Sequence, residues 1–110
     1  MRKQPVLEKH VVARIIKALR LQPGVVVRKR HGTAMGVAGD PDLYGSIRGR
    51  HVEIEVKRQD DPRSVPTELQ VHRMQEWRAA GALVGIARCA EDALVILGIP
   101  LCDPGLEVRS

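Results

Sequence analysis

The chain has 110 residues, a formal net charge of +5 and an apolar fraction of 44%. This length predicts a single domain over residues 1–110, and this apolar content argues against a disordered chain. The basic excess favours a polyanionic partner such as nucleic acid, whereas one Trp, one Tyr and no Phe leave almost no material for a base-stacking platform.

The cysteines and the apolar runs bear on the cell compartment. Cys89 and Cys102 are too few for a metal cluster or a convincing disulfide framework, and the sequence shows no signal peptide. The longest apolar runs are far too short to cross a bilayer. We therefore expect a cytoplasmic protein with reduced thiols and no membrane partner.

Residues 1–57 predict one helix and three strands. Apolar residues recur every fourth position from Leu7 to Leu19, which predicts an amphipathic helix over residues 6–20. Glu8 lies at the border of this apolar stripe, where a first-turn acid also complements the helix dipole. Strands are predicted over residues 25–30, 43–47 and 51–57. A glycine-rich loop precedes the second strand, and the turn that follows it is similar to a hairpin turn.

The second half of the chain predicts two more helices and a strand. Thr67 opens a helix that stops before Gly81, a residue suited to the position after a helix. Residues 82–87 form a nearly all-apolar strand of the kind that a sheet interior takes, and residues 91–97 form a short helix. The order predicts an α/β fold with a central mixed sheet flanked by helices, and the apolar residues 99–106 are a candidate interface.

The strand over residues 51–57 carries the unusual chemistry. Its strict alternation puts Glu53, Glu55 and Lys57 on one face. Asp42 lies upstream, with 12 residues between it and Glu55, which is a hairpin distance. Hard carboxylate oxygens suit Mg²⁺ or Mn²⁺, and such an ion activates water and polarises phosphorus. The competing interpretation is an exposed strand with ordinary cross-strand ion pairs.

These residues resemble a known nuclease signature. Pro41-Asp42, followed by Glu55-Val56-Lys57, is similar to the Pro-Asp…(Asp/Glu)-x-Lys motif of the restriction-endonuclease-like superfamily, written PD-(D/E)XK. The wider layout resembles the VRR-NUC domain in its small stand-alone form. The matching features are, in chain order, Glu8, Gly39-x-Pro41-Asp42-Leu43, Ile54-Glu55-Val56-Lys57, Gln70, and Trp77 with Gly81 before the last strand.

The resemblance implies a restriction-endonuclease-like αβββαβ core and cleavage of DNA phosphodiesters that depends on Mg²⁺ or Mn²⁺. It also implies a structure-selective endonuclease for Holliday junctions or other branched DNA, acting as a homodimer in the cytoplasm of a bacterial or phage-infected cell. The alternatives are a non-catalytic basic nucleic-acid-binding module with the same fold and a small structural α/β protein. Cleavage and salt-dependent DNA binding discriminate among the three.

Carried over by position, the resemblance also assigns the catalytic roles. Asp42 and Glu55 would be metal ligands, together with the backbone carbonyl of Val56. Glu8 would reach the metal through a water. Lys57 would be the catalytic lysine, which orients the attacking water or offsets charge on the phosphorus.

Three residues near the signature have open roles. Gln70 would position water or phosphate by the resemblance, but with Thr67 it also forms a capping-box pattern. Asp40 is an acid where the resemblance leads us to expect an uncharged residue, so it competes with Asp42 for the ion. Glu53 is a second acid on the functional face, either part of the site or a solvent-side neighbour.

Basic residues accompany the predicted site. We expect a rim of positive side chains that hold the phosphates flanking the scissile one, and the alternative is a solvated basic face. The candidate DNA-binding residues are Arg28, Lys29, Arg30, Arg48, Arg50 and Arg58. Further candidates for phosphate contacts are His31, His51 and His72, although lone histidines are more often structural or exposed.

Overall fold

The computed structural model describes residues 7–32 and 36–101. The elements, in chain order, are α1 (Glu8–Arg20), β1 (Val25–Lys29), β2 (Leu43–Ile47), β3 (Arg50–Val56), α2 (Glu68–Ala79), β4 (Leu83–Ala87) and α3 (Ala90–Ile96). Every predicted helix and strand is present, and each predicted boundary lies within two residues of the observed one. Cys102 and most of the candidate interface segment 99–106 lie outside the described residues.

The four strands form one mixed sheet in the order β1-β2-β3-β4. β1, β2 and β3 are antiparallel neighbours, and β4 runs parallel to β3. Parallel neighbours need a crossover connection, which α2 supplies. The predicted αβββαβ order and central mixed sheet are therefore confirmed. None of the helices in the described ranges is long and apolar enough to span a membrane.

β4 does not lie in the sheet interior, where its apolar sequence predicted it. Among the described strands it pairs only with β3, so it forms one edge. Its apolar character instead reflects contact with a helix: a Cβ on Gly85 would lie 2.7 Å from the Ile96 side chain of α3. An apolar run indicates that a strand is covered, but it does not show by what. In β4 the cover is the helix α3, and there is no second neighbouring strand among the described residues.

The core lies between one face of the sheet and the helices α1 and α3. β3 turns Val52, Ile54 and Val56 toward this side, and none of the three is more than 1% exposed. The cluster consists of Val11, Val12, Ile15, Leu19, Val27, Leu43, Val52, Ile54, Val56, Ala87, Ala93 and Leu97. It is aliphatic, as the scarcity of aromatic residues predicts. Glu53 and Glu55 face the other side of the sheet, because side chains alternate along a strand.

Candidate active site

The β2–β3 hairpin brings Asp42 and Glu55 together. The last pair in its ladder joins Leu43 to Ile54, and one further step in the same register places Asp42 opposite Glu55. Side chains at opposite positions of antiparallel neighbours have Cβ atoms roughly 4.5–5.5 Å apart. The 12 residues that separate the two acids in the sequence are therefore a hairpin spacing, as predicted.

Asp42 is fixed against the end of β3. Its Oδ2 accepts a hydrogen bond of 2.8 Å from the backbone N–H of Val56. Because the N–H and C=O of one strand residue face the same neighbour, the Val56 carbonyl leaves β3 on the side of Asp42 as well. The three predicted metal ligands thus belong to one end of the hairpin.

Glu55 is a buried carboxylate with one unsatisfied oxygen. Only 1% of the residue is exposed. Its Oε2 lies 3.2 Å from Lys57 Nζ, whereas Oε1 is buried without a hydrogen-bond partner among the described residues. Leaving such an oxygen unbound is energetically unfavourable, so the structure indicates a position that a ligand would complete.

The pKa of Glu55 is raised to about 7 from an ordinary value of 4.5. Burial is the largest cause and the negative charge of Asp42 is the second, because both disfavour the ionised form. Lys57 opposes this rise, and Glu8 at the start of α1 adds to it. The structure therefore brings Asp42, Lys57 and Glu8 close enough to act on the charge of Glu55, and the dipole role of Glu8 is compatible with this position.

The donor set suits a hard divalent cation that keeps open positions. No three His, Cys, Asp or Glu side chains in residues 7–32 and 36–101 form a group that could hold a metal ion, so an ion at this end of the hairpin would have two side-chain carboxylates, those of Asp42 and Glu55, as ligands. Mg²⁺ is commonly bound through one or two carboxylates, with water and substrate phosphate oxygens in its other positions. The residues present therefore fit such an ion, and Glu55 Oε1 is the atom that it would satisfy.

Gln70 caps α2. Thr67 Oγ1 accepts a hydrogen bond from the Gln70 N–H at 3.1 Å, and Gln70 Oε1 accepts one from the Thr67 N–H at 2.9 Å. The capping-box prediction is confirmed. The active-site role of Gln70 stays a prediction, and its side-chain oxygen is already engaged at the helix start.

One interpretation of the sequence placed Glu53 on the solvent side of the site, and the structure contradicts it. It is fully buried, and its two oxygens accept hydrogen bonds of 2.7 and 2.9 Å from the Arg30 guanidinium. His51 Nε2 lies 2.6 Å from the same carboxylate. Bidentate Arg–carboxylate pairs are strong and fix orientation, so Glu53 is a structural anion that leaves neither oxygen for an ion.

Asp40 also has a protein partner. Its Oδ1 accepts a hydrogen bond of 3.1 Å from Trp77 Nε1 in α2. The resemblance led us to expect an uncharged residue at this position. The acid there has a role, because its oxygen is the acceptor for the indole N–H of Trp77. Asp40 therefore serves the turn before Asp42, and its engagement with Trp77 argues against competition for the ion.

The predicted basic rim is partly wrong. The turn that carries Arg48 and Arg50 lies at the opposite end of β2 and β3 from the two acids, about 20 Å away at roughly 3.3 Å per strand residue. The reason is the hairpin itself, since its turn and its free strand ends are at opposite ends. Arg30 is also withdrawn from any rim, because its guanidinium is bound to Glu53.

The remaining basic candidates lie at the site end of the sheet. Arg28 and Lys29 are exposed, and Lys29 pairs in the ladder with Leu43, the residue after Asp42. Arg58 follows the catalytic-lysine candidate and bonds Asp60 at 3.3 Å. Their contacts with DNA stay predictions.

The histidines and the cysteine have ordinary surroundings. His51 stacks on Trp77 with ring centroids 4.7 Å apart, and His72 pairs with Glu76 at 3.7 Å on an exposed part of α2. His31 is exposed. Cys89 precedes α3, and burial raises the pKa of its thiol, which lowers its reactivity.

Two side chains of α2 that support the turn before Asp42 were not predicted from the sequence. Arg73 Nε donates a hydrogen bond of 3.0 Å to the Ala38 carbonyl, and neither this contact nor the bond from Trp77 to Asp40 was predicted. The four-residue spacing of Arg73 and Trp77 puts them on one helix face. That spacing is visible in the sequence, but the loop that the face meets is not.

The strand order and the placement of the two acids define a restriction-endonuclease-like α/β fold. No family model matches the sequence, and no curated protein matches it. A solved structure described as "VRR_NUC domain protein" is similar with a TM-score of 0.68 and 21% identity, over 87% of this chain and 88% of that chain. Another, described as "VRR_NUC domain", has a TM-score of 0.65 and 25% identity, over 83% and 94% respectively. The resemblance is confirmed: the chain has the fold of the VRR-NUC domain, a nuclease-type domain.

Proposed function

We propose that the protein is a divalent-metal-dependent DNA endonuclease that hydrolyses phosphodiester bonds. The observation that carries the proposal is the buried Glu55 carboxylate, which lies against Lys57 and opposite Asp42 and whose Oε1 has no partner in the described part of the chain. Glu53, two residues earlier, shows the structural alternative, because both of its oxygens are bonded. A carboxylate with one oxygen left open is what a cation site requires.

Asp42, Glu55 and the Val56 carbonyl would hold Mg²⁺ or Mn²⁺, with Glu8 reaching the ion through a water. When bound, a divalent ion of this kind lowers the pKa of water, polarises the phosphoryl group and stabilises the leaving oxygen. The hairpin keeps the two carboxylates at opposite positions, and the Val56 N–H orients Asp42. The protein thereby supplies the geometry before substrate binds.

Lys57 is the proposed catalytic lysine. Its Nζ lies 3.2 Å from Glu55 Oε2. An ammonium in this position offsets negative charge on the phosphate oxygens and orients a water for attack. Gln70 is proposed to assist through its amide nitrogen, since its oxygen serves the helix cap.

The proposed substrate is branched or otherwise structured DNA, and the proposed assembly is a homodimer. The net charge of +5 supports a polyanionic substrate, and Arg28, Lys29 and Arg58 are proposed to hold its flanking phosphates. One chain supplies one site, whereas symmetric incision of a four-way junction needs two facing sites. A two-fold dimer supplies them.

A cleavage panel tests the proposal. A four-way junction, a flap, a single strand and a plain duplex are each incubated with the purified protein and Mn²⁺ or Mg²⁺. We expect the junction to be cut fastest and EDTA to stop the reaction. If all four substrates stay uncut while salt-dependent DNA binding persists, the non-catalytic binding module replaces the nuclease. If DNA binding is absent as well, the remaining interpretation is a small structural α/β protein.

The assembly is tested separately. Light scattering during size exclusion should give a mass of twice the 12.2 kDa of one chain. A species of single-chain mass that still makes paired incisions in a junction would contradict the homodimer.

A further inference from the structure

The turn before Asp42 is held by side chains from two other elements. Arg73 Nε of α2 donates to the Ala38 carbonyl at 3.0 Å, and Trp77 Nε1 of α2 donates to Asp40 Oδ1 at 3.1 Å. Arg30, just after β1, donates from Nη1 to the Pro41 carbonyl at 2.7 Å. We call these three side chains, Arg30, Arg73 and Trp77, the loop clamp.

The α2 part of the loop clamp is one stripe of the helix. Leu69, Arg73 and Trp77 are spaced by four residues and therefore share a face. Gly39 lies against this stripe with a φ of +87°, and a Cβ there would be 2.6 Å from Leu69 Cγ. The only buried residue of α2 is Met74. The helix meets the turn through the stripe of one apolar, one cationic and one aromatic side chain.

Glu53 orients the Arg30 side chain of the loop clamp. The two bonds of this bidentate pair fix the plane of the guanidinium, which lies 4.8 Å from the Tyr44 ring centroid and 5.9 Å from that of Trp77. The backbone N–H of Arg30 also donates to the Asp42 carbonyl at 2.7 Å. Arg30 therefore holds two consecutive residues of the turn.

Asp42 needs such support because it faces another carboxylate. Two like charges at opposite positions of a hairpin repel each other. Asp42 comes before β2 begins, and its side chain is tied to β3 by the single hydrogen bond from the Val56 N–H. A turn free to move would relieve the repulsion by swinging Asp42 away from Glu55. Ligands of a metal site are useful only when neighbouring groups fix them in advance.

We propose that Arg30, Arg73 and Trp77 are positioning residues that hold Asp42 opposite Glu55, with buried Glu53 orienting Arg30. The inference rests on the proposed function for its catalytic consequence, but the positioning itself is a property of the metal-free protein. It reassigns Arg30 from DNA contact to support of the site. It also gives the only Trp of the chain a polar role through its N–H.

The test uses the Val56 amide as a reporter, because that N–H donates to Asp42 Oδ2. Trp77→Phe keeps a ring to stack on His51 but removes the donor to Asp40. We expect hydrogen exchange at Val56 to accelerate at least about fivefold in this variant. Exchange at the Lys57 amide, which bonds Ala87 in β4, should stay within about twofold.

Matched variants separate positioning from general damage to the fold. Arg73→Ala should behave as Trp77→Phe does, and Asp40→Ala likewise, whereas Asp40→Asn keeps the oxygen acceptor and should restore slow exchange. Arg78→Ala is the control, because Arg78 lies on α2 but donates to Val84 in β4. Unchanged Val56 exchange in Trp77→Phe and Arg73→Ala, or equal acceleration at Val56 and Lys57, would overturn the proposal.

The metal arm tests the consequence for the site. The Mn²⁺ concentration for half-maximal cleavage should rise roughly tenfold in Trp77→Phe and Arg73→Ala, with the rate at saturating Mn²⁺ reduced less than about threefold. A lowered saturating rate with an unchanged Mn²⁺ requirement counts against positioning. If the wild type does not cut, the proposed function fails and Val56 exchange alone decides the positioning.

Discussion

Glu53 and Glu55 are buried glutamates on the same face of β3 with opposite surroundings. Arg30 neutralises Glu53 through two hydrogen bonds. Glu55 has Lys57 at 3.2 Å from one oxygen and no partner within the described residues for the other. The first arrangement orders the fold, and the second leaves an incomplete site. The titration of Glu55 therefore reports on the state of that site.

We predict that ionisation of Glu55 destabilises the metal-free protein as the pH rises. The pKa is 4.5 in ordinary surroundings and about 7 in the folded protein, so between these values the folded state holds a proton that the unfolded state has lost. The contribution of Glu55 to stability is fully present below about pH 4.5 and is lost as the pH rises through about 7. Since one pKa unit corresponds to about 1.4 kcal/mol, the full loss is on the order of 3 kcal/mol, of which on the order of 2 kcal/mol falls between about pH 5 and about pH 8.

Urea unfolding of EDTA-treated protein at about pH 5 and about pH 8 measures this loss. Glu55→Gln removes the titrating group, so the fall in unfolding free energy between the two pH values should be smaller in the variant by on the order of 2 kcal/mol. An identical fall in the wild type and in Glu55→Gln would show that Glu55 ionises normally.

Lys57→Ala should stop cutting and leave DNA binding in place. The variant loses the ammonium beside Glu55, and we expect single-turnover cleavage to fall by about 100-fold or more. Junction affinity should change less than about threefold, because one contact among many is lost. Arg63→Ala is the control, since Arg63 is a largely exposed cation in the loop before α2. Comparable cleavage by Lys57→Ala and the wild type would remove Lys57 from the site.

At the scale of elements, α2 begins with a capping box and docks on the turn before Asp42. We predict that Thr67→Ala lowers the unfolding free energy by about 1 kcal/mol, because it removes the acceptor for the Gln70 N–H. Gln70→Glu keeps a side-chain oxygen that can complete the same box. It should therefore retain wild-type stability in urea unfolding, where Gln70→Ala should not.

The same variants decide the second role of Gln70. If the amide nitrogen positions water or phosphate, Gln70→Glu should cut DNA more slowly while remaining as stable as the wild type. Full activity in a stable Gln70→Glu variant would leave capping as the whole role of the residue.

Local patterns in the sequence predict most of the fold and the centre of the site. α1 and β3 follow from periodicity, and Asp42, Glu55 and Lys57 follow from one hairpin, whose partners are close in sequence. The position of β4 at an edge was not predicted, because an apolar run does not distinguish cover by a helix from cover by a strand. The predicted position of Arg48 and Arg50 beside the acids conflicts with the hairpin that the sequence itself predicts, since the turn of a hairpin lies at the opposite end from its free strand ends.

Contacts between distant elements explain the rest of what the sequence did not reveal. Arg30 and Glu53 are 23 positions apart, and Asp40 and Trp77 are 37 apart. Nothing in the local sequence around these four residues indicates their partners. The partners are set by how α2 and β1 pack around the turn. The family resemblance marked Trp77 without giving its contact, and Arg73 carried no signal beyond its helical spacing from Trp77.

At the scale of the whole molecule, the positive charge is divided between the two ends of the sheet. Arg28 and Lys29 lie at the end that carries the acids, and Arg48 and Arg50 at the other. We predict that Arg28→Ala with Lys29→Ala weakens junction binding and lowers the slope of log affinity against log salt by about 2, roughly one per lost phosphate contact. The matched pair Arg48→Ala with Arg50→Ala should lower it by less than about 1.

Fluorescence anisotropy across a series of salt concentrations measures both slopes. Because the two double variants remove the same number of charges, a difference between them reflects position and not net charge. Equal slopes would mean that DNA does not approach preferentially at the end of the sheet with Asp42 and Glu55.

The most direct test of the proposed site is single-turnover cleavage of a four-way junction by the wild type and by Asp42→Asn at saturating Mn²⁺. Asn keeps the size of the side chain and an oxygen for the Val56 N–H, but it lacks the charge that a metal ligand needs. We predict cleavage by the wild type, none after EDTA, and a rate at least about 100-fold lower in Asp42→Asn with junction binding retained. Equal rates in the two proteins would contradict the assignment of the site.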